Sequence, residues 1–106
     1  MYRLYSPSLL TIAAGHNEGF PTLVAIKGRV FDVTGNKAYA PGSGYSVFAG
    51  HDASRALAKT SLKAEDCVPE WADLPDSEKK TLEEWYVFFS KRYNVVGLVE
   101  GATNME

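Results

Sequence analysis

The apolar positions of the chain fall into two unlike patterns. "LVAIKGRVFDV" is dense in residues that favour extended backbone: Leu23, Val24, Ile26, Val30, Phe31 and Val33. Lys27-Gly28 divides this run where a hairpin turn between two strands belongs. Between Asp76 and Tyr93 the period changes. Leu82, Trp85, Tyr86, Phe89 and Tyr93 recur at i, i+3, i+4 and i+7, which is one stripe of a helix, and Asp76, Ser77 and Glu78 crowd its start. This is the longest helix expected. "NVVGLVE" then reads as a final short strand and "GATNME" as a tail.

Shorter patterns fill the rest. Ser6 can cap a helix over "SLLTIAAG", with Pro7 in its first turn and Gly15 at its end. "GHNEGFPT" reads as a loop and "TGNKAYAPGSG" as a turn-rich stretch. "HDASRALAK" reads as a second helix, with Asp52 near its start and Lys59 near its end, as the helix dipole prefers. "SLKAEDCVPEWADLP" reads as irregular with one helical turn, broken by Pro69 and Pro75. No repeat, low-complexity tract or linker interrupts residues 1–106, so one domain is expected. Its class is α+β: a small sheet with a hairpin, short helices around it and one long C-terminal helix.

The totals narrow the function. The 106 residues are 45% hydrophobic and 23% charged, ordinary for a globular domain. The formal charge is −2, without the basic excess of a nucleic-acid-binding module. A single cysteine, Cys67, cannot form an internal disulfide. No apolar run approaches twenty residues, and no basic stretch precedes an apolar core long enough for a signal peptide. As written the chain is expected to be soluble and cytoplasmic, unless it is a piece of an anchored protein.

Searches for self-contained chemistry return little. His16, His51 and Cys67 do not have the spacing of a zinc site. Glu65 and Asp66 just before Cys67 would raise its thiol pKa, which argues against a thiolate nucleophile. The glycine-rich loop lacks the Lys-Ser or Lys-Thr of a phosphate-binding loop and the spacing of a dinucleotide fingerprint. No carboxylate pair stands out, so no catalytic residue is named and the chain is not expected to be an enzyme.

What remains is "YAPGSGYSVFAGHDASR", where Tyr39 and Tyr45 stand six apart on a loop. A phenol is neutral near pH 7 unless a Lewis acid or positive charge favours the phenolate, and ferric haem iron is such an acid. A haem also needs apolar walls and cations for its propionates. Val47, Phe48 and the helical stripe offer the first; Arg55, Lys59, Lys91 and Arg92 offer the second. The plainer reading stands beside it: tyrosines that pack with a bonded hydroxyl, and a stripe that is simply core.

"VAIKGRVFDVT", "YAPGSGYSVFAGHDASRALAK" and "LEEWYVFFSKRYNVVGLV", in that order, resemble the cytochrome-b5-like haem/steroid-binding domain, and most closely its membrane-associated progesterone receptor branch. The likeness runs from about Leu4 to Val99. "GRVFDVT" fits the wider superfamily, whereas "YSVFAGHDASRALA" is specific to the branch. The histidine of the cytochrome b5 His-Pro-Gly-Gly motif is absent from "YAPGSG", and His51 stands where the branch has Arg or Lys, so neither histidine is expected to bind iron.

The resemblance implies a cytochrome-b5-like fold and ferric haem b held by Tyr45 as axial ligand. It implies Tyr39 hydrogen-bonding near that ligand and the Arg92-Tyr93 pair helping to hold the haem. Val47 and Phe48 join these as cofactor-binding candidates. It further implies a haem carrier or an accessory to microsomal mono-oxygenases of sterol metabolism, with steroid or sterol as an alternative ligand and a protein-interaction scaffold as another role. An exposed haem face stacking against a second copy would give a haem-dependent homodimer, and association with the endoplasmic reticulum would run through partners or a missing anchor. Three departures bear on affinity: Ala38, Ala40 in place of a glycine, and Arg92 in place of a lysine. The methyl of Ala40 would matter only if the backbone there had positive φ.

Overall fold

The structure, a computed structural model, describes residues 3–16 and 19–105. Four strands form one mixed sheet in the order β1-β4-β3-β2: β1 Arg3–Tyr5, β2 Leu23–Ile26, β3 Arg29–Asp32 and β4 Val95–Val99. β1 runs parallel to β4, and the other pairs are antiparallel. Three helices pack around the sheet: α1 Pro7–Thr11, α2 Ser54–Ala58 and α3 Asp76–Arg92.

β2 and β3 are the expected hairpin. Lys27 and Gly28 both take positive φ, 53° and 78°, as the tight turn between right-twisted strands requires. Gly28 is needed twice over, because a Cβ there would also lie 2.5 Å from Met105 Cγ. β2 alternates in its burial partners. Val24 and Ile26 join Phe31, Val33 and Phe89 in the larger core, whereas Leu23 and Ala25 join Leu10 and Val30 in the smaller one beside α1. The free edge of β2 is filled by other backbone. Ala13 O accepts from Leu23 N–H, Leu23 O from Gly50 N–H, His51 O from Ala25 N–H and Ala25 O from Ala53 N–H.

α3 begins as expected with acids in its first turn and ends with Lys91 and Arg92 in its last, matching the helix dipole; Tyr93 is its C-cap. Its stripe is mixed. Leu82 and Phe89 are core, while Trp85, Tyr86 and Tyr93 are half-buried against it.

The structure departs from the sequence-based picture at five points. α1 is capped by Ser6, whose Oγ accepts from Leu9 N–H at 3.0 Å, but it stops at Thr11, short of Gly15, because the chain turns to pair Ala13 with β2. α2 starts at Ser54, not at the His51-Asp52 pair. The Asp52 carboxylate is instead a buried acceptor, bonded by the Ser54 N–H and hydroxyl, the Gly28 N–H and the Asn104 amide. β1 had no sequence signal: three residues carry no period, and its partners lie more than ninety positions away in the chain. "GATNME" is no loose tail through residue 105. Asn104 is buried, its carbonyl accepts from Trp71 Nε1–H, and Met105 O accepts from Arg29. Residues 17 and 18 of the expected loop and residue 106 of the tail lie outside the described residues. Last, Arg55, counted among the cations, points its Nη1 at Asp73 at 2.8 Å and at Glu70 O.

Candidate functional site

The loop from Asn36 to Ala49 is too rich in Gly and Pro for a helix, yet it is ordered by two 3-10 turns, Lys37–Tyr39 and Ser46–Phe48. Tyr45 N–H donates to Ala38 O at 3.1 Å and ties the two turns together. The Ser43 hydroxyl donates to Lys37 O and the Ser46 hydroxyl to Ser43 O, both at 2.7 Å. Ala40 has φ −69°, so its methyl group meets no backbone penalty.

This loop lays its tyrosines against the end of α3. The Tyr39 ring centroid is 6.0 Å from that of Tyr45, 6.0 Å from Phe89 and 6.5 Å from Tyr93. Tyr45 lies 5.6 Å from Phe48 and 6.2 Å from Trp85, and Trp85 lies 6.1 Å from Phe88. Elements distant in sequence thus build one aromatic cluster, and its members differ in access. Tyr39 is 2% exposed, whereas Tyr45 and Phe88 are 39% and 46% exposed. Phe48 is core and Val47 packs half-buried beside it, so those two support the loop from within.

The electrostatics separate the phenols. Burial raises the Tyr39 pKa well above the ordinary phenol value, and Tyr93 and Tyr45 push in the same direction while Arg92 opposes them. Tyr39 is therefore a neutral phenol that keeps its proton. The Arg92 guanidinium sits over the Phe88 ring at 5.4 Å, at the solvent rim of the cluster. Tyr93 is held by Asn36, whose Nδ2 donates to its hydroxyl at 2.5 Å.

Beyond Trp85 the outer face of α3 carries two open grooves. One, of about 310 Å³, is lined by Thr81, Glu84, Trp85 and Phe88. The other, of about 530 Å³, is lined by Lys80, Glu83, Glu84, Val87, Phe88 and Lys91. No tyrosine lines either one; Trp85 is the link, touching Tyr45 on one side and forming groove wall on the other. What the arrangement offers a flat apolar ligand is an exposed phenol, an indole and phenyl wall, and a cation at the rim.

Sequence reasoning brought Tyr39, Tyr45, Phe48, Val47, Arg92 and Tyr93 into view, and the fold brings them together. It missed Phe88 and Asn36. Phe88 lies three positions after Trp85 and one before Phe89, on the outer flank of the stripe, and an exposed phenylalanine there is the signal that could have found it. His51 is exposed and outside the aromatic cluster, and Cys67 is buried with its thiol pushed up to about 11, by burial and then by Asp66.

A family model described as a cytochrome b5-like heme/steroid binding domain matches residues 11–95. Probable steroid-binding protein 3 of Arabidopsis thaliana is 51% identical over 86 residues, covering 80% of this chain and 86% of that protein. The cytochrome P450 regulator dap1 of Schizosaccharomyces pombe is 40% identical over 104 residues, 91% of this chain and 62% of that protein. Membrane-associated progesterone-binding protein 4 of Arabidopsis thaliana is 39% identical over 100 residues, 93% of this chain and 41% of that protein. The chain thus spans less than two thirds of the latter two relatives. Among solved structures, a hypothetical Arabidopsis thaliana protein with a cytochrome b5-like fold matches with a TM-score of 0.84 at 44% identity, covering 92% of this chain and 91% of that one.

Proposed function

The chain belongs to the cytochrome b5-like haem/steroid-binding domain family, in its membrane-associated progesterone receptor branch, and from that premise we propose a haem-binding protein in which the Tyr45 phenolate is the axial ligand of ferric haem b. The observation that carries the reading is the contrast in access between the two loop tyrosines. Tyr45 is exposed beside an apolar aromatic wall, whereas its neighbour Tyr39 is buried and keeps its proton. A phenol that is to bond a metal must reach it, and a protonated partner nearby can donate a hydrogen bond to a phenolate but cannot compete as an anion.

Trp85 and Phe88 supply apolar surface beside Tyr45, Val47 and Phe48 brace the loop, and Arg92 and Tyr93 offer a cation and a hydroxyl to the propionates. Arg92 retains the charge of the branch's lysine with a planar, forked geometry. Bound ferric haem would supply a Lewis-acidic iron, which the Tyr45 phenolate would hold. A single phenolate ligand favours the ferric state, which suits a carrier or an accessory better than an electron shuttle. The P450 regulator among the relatives supports an accessory role toward microsomal mono-oxygenases. Among the described residues no helix is long and apolar enough to cross a membrane, so association with the endoplasmic reticulum would run through partners or an anchor elsewhere. Exposed Val87 and Phe88 near the site are compatible with a haem-dependent homodimer.

Adding hemin to the purified protein is expected to give a ferric high-spin absorption spectrum that Tyr45→Phe loses or strongly weakens. A spectrum and affinity in Tyr45→Phe equal to the wild type would refute the assignment.

A second reading is a steroid or sterol ligand, favoured by the groove of about 530 Å³ along Val87 and Phe88, which lies within the usual size range of small-molecule sites. Calorimetry on haem-free protein decides it: no heat with any steroid removes the option, and heat abolished by hemin places both ligands on one surface.

A further inference from the structure

We infer that Asn36 is the positioning residue of the tyrosine cluster, aiming the Tyr93 hydroxyl so that its proton is offered to an anionic oxygen of the bound ligand. The inference rests on the haem reading for the ligand's identity, a propionate carboxylate, but its geometry stands on the protein alone.

One side chain makes both bonds. Asn36 Oδ1 accepts from Ala38 N–H at 2.9 Å and caps the 3-10 turn that carries Tyr39. Asn36 Nδ2 donates to the Tyr93 hydroxyl oxygen at 2.5 Å, across 57 positions of sequence. The backbone of Asn36 is fixed at the same time, its N–H donating to Val33 O and its carbonyl accepting from Tyr39 N–H. The amide is thus a rigid bracket between the first tyrosine turn and the C-cap of α3.

The direction of the second bond matters. An amide NH2 can only donate, so the Tyr93 oxygen must accept. Its own proton then has no acceptor among the described residues and remains available to a ligand. Tyr93 is half-buried, its ring 5.0 Å from Phe89 and 6.5 Å from Tyr39, and Arg92 precedes it in the chain. A hydroxyl whose proton is spare, on the same helix end as a guanidinium that sits over Phe88, suits a carboxylate. A serine, aspartate or lysine at position 36 would not do both jobs. Serine keeps the cap but lacks the amide donor, aspartate accepts from Tyr93 and so takes up its proton, and lysine has no cap acceptor.

The test compares Asn36→Ser, Asn36→Asp, Tyr93→Phe and the Asn36→Ser/Tyr93→Phe double variant. Serine and aspartate preserve the cap, so both are expected to fold. With hemin bound, the rate of hemin transfer to apomyoglobin should rise about threefold to tenfold in Asn36→Ser, the range expected for one hydrogen bond. Asn36→Asp should release hemin at least as fast, although it keeps a bond to Tyr93. The double variant should release it no faster than Tyr93→Phe, since the amide acts through that hydroxyl. Wild-type rates in Asn36→Ser, or additive effects in the double variant, overturn the inference. A wild-type protein that takes up no hemin would sink the haem reading instead. The haem-free protein then decides for Asn36, because its side-chain NH2 protons should be protected from exchange by NMR and lose that protection in Tyr93→Phe. Unchanged exchange overturns the bracket.

Discussion

Two regions of the molecule handle their polar and apolar groups in opposite ways. At the hairpin turn, polar groups are sealed in and paired: Asp52 collects hydrogen bonds from Gly28, Ser54 and Asn104, and of the buried side-chain polar atoms described only Asn104 Oδ1 lacks a partner. Beside it Lys27 is held by Glu83 at 3.2 Å and by the faces of Trp71 and Tyr86. At the other region, around Tyr45, Trp85 and Phe88, apolar rings stand partly in water, and among the described residues only the Arg92 guanidinium is laid over one of them. Sealing polar groups stabilises the fold, because an unpaired buried group is penalised heavily. Leaving rings exposed does the reverse and makes sense where a ligand is to complete the burial. The first region is scaffold; the second is the surface proposed for the ligand.

Four variants should break or sharpen that contrast. Asp52→Ala strands the donors of Gly28, Ser54 and Asn104 and should destabilise the protein by about 3 kcal/mol in urea unfolding, while any refolded protein retains the hemin spectrum type. Gly28→Ala places a methyl group at a positive φ and against Met105 and Ala102; a loss of more than about 1 kcal/mol is expected in the same measurement. Tyr39→Phe tests the boundary between the regions. The raised Tyr39 pKa means that the folded state holds this proton when the unfolded state has begun to release it. Its stabilising contribution is therefore whole below the ordinary phenol value of 10.0 and lost as pH rises above it. Alkaline unfolding should shift to higher pH in Tyr39→Phe relative to its stability at pH 7; an unchanged profile would show that the phenol is not the titrating group. Phe88→Ala should alter stability least, within about 0.5 kcal/mol, yet it should speed hemin loss. A large stability loss with unchanged hemin retention would make Phe88 scaffold rather than ligand surface.

The two regions also differed in how legible they were. α3 and the β2-β3 hairpin are written in periods long enough to read, and Lys27-Gly28 marks its own turn. β1 is three residues whose meaning lies in Gly97–Val99, and the closeness is such that a Cβ on Gly97 would collide with Arg3 O and the Tyr5 ring. The Asp52–Asn104 bond joins residues 52 positions apart, so Asp52 read as a helix-start acid and Asn104 as tail. Around the aromatic surface, local pattern named the α3 stripe, but the roles of Tyr39, Tyr45 and Tyr93 came from resemblance, since a tyrosine in a glycine-rich loop has no periodic signature. Asn36 was hidden for the same reason: its partner is set by the fold, not by spacing.

The backbone that fills the outer side of β2 has a consequence for the molecule in a crowded solution. An open strand margin is a template on which another chain can add itself. Here Ala13 and the Gly50–Ala53 segment occupy the positions a foreign strand would need, and the Gly50–Ala53 segment follows directly on the loop that presents Tyr45. Growth of oligomers by strand addition along that margin would require peeling this segment away first.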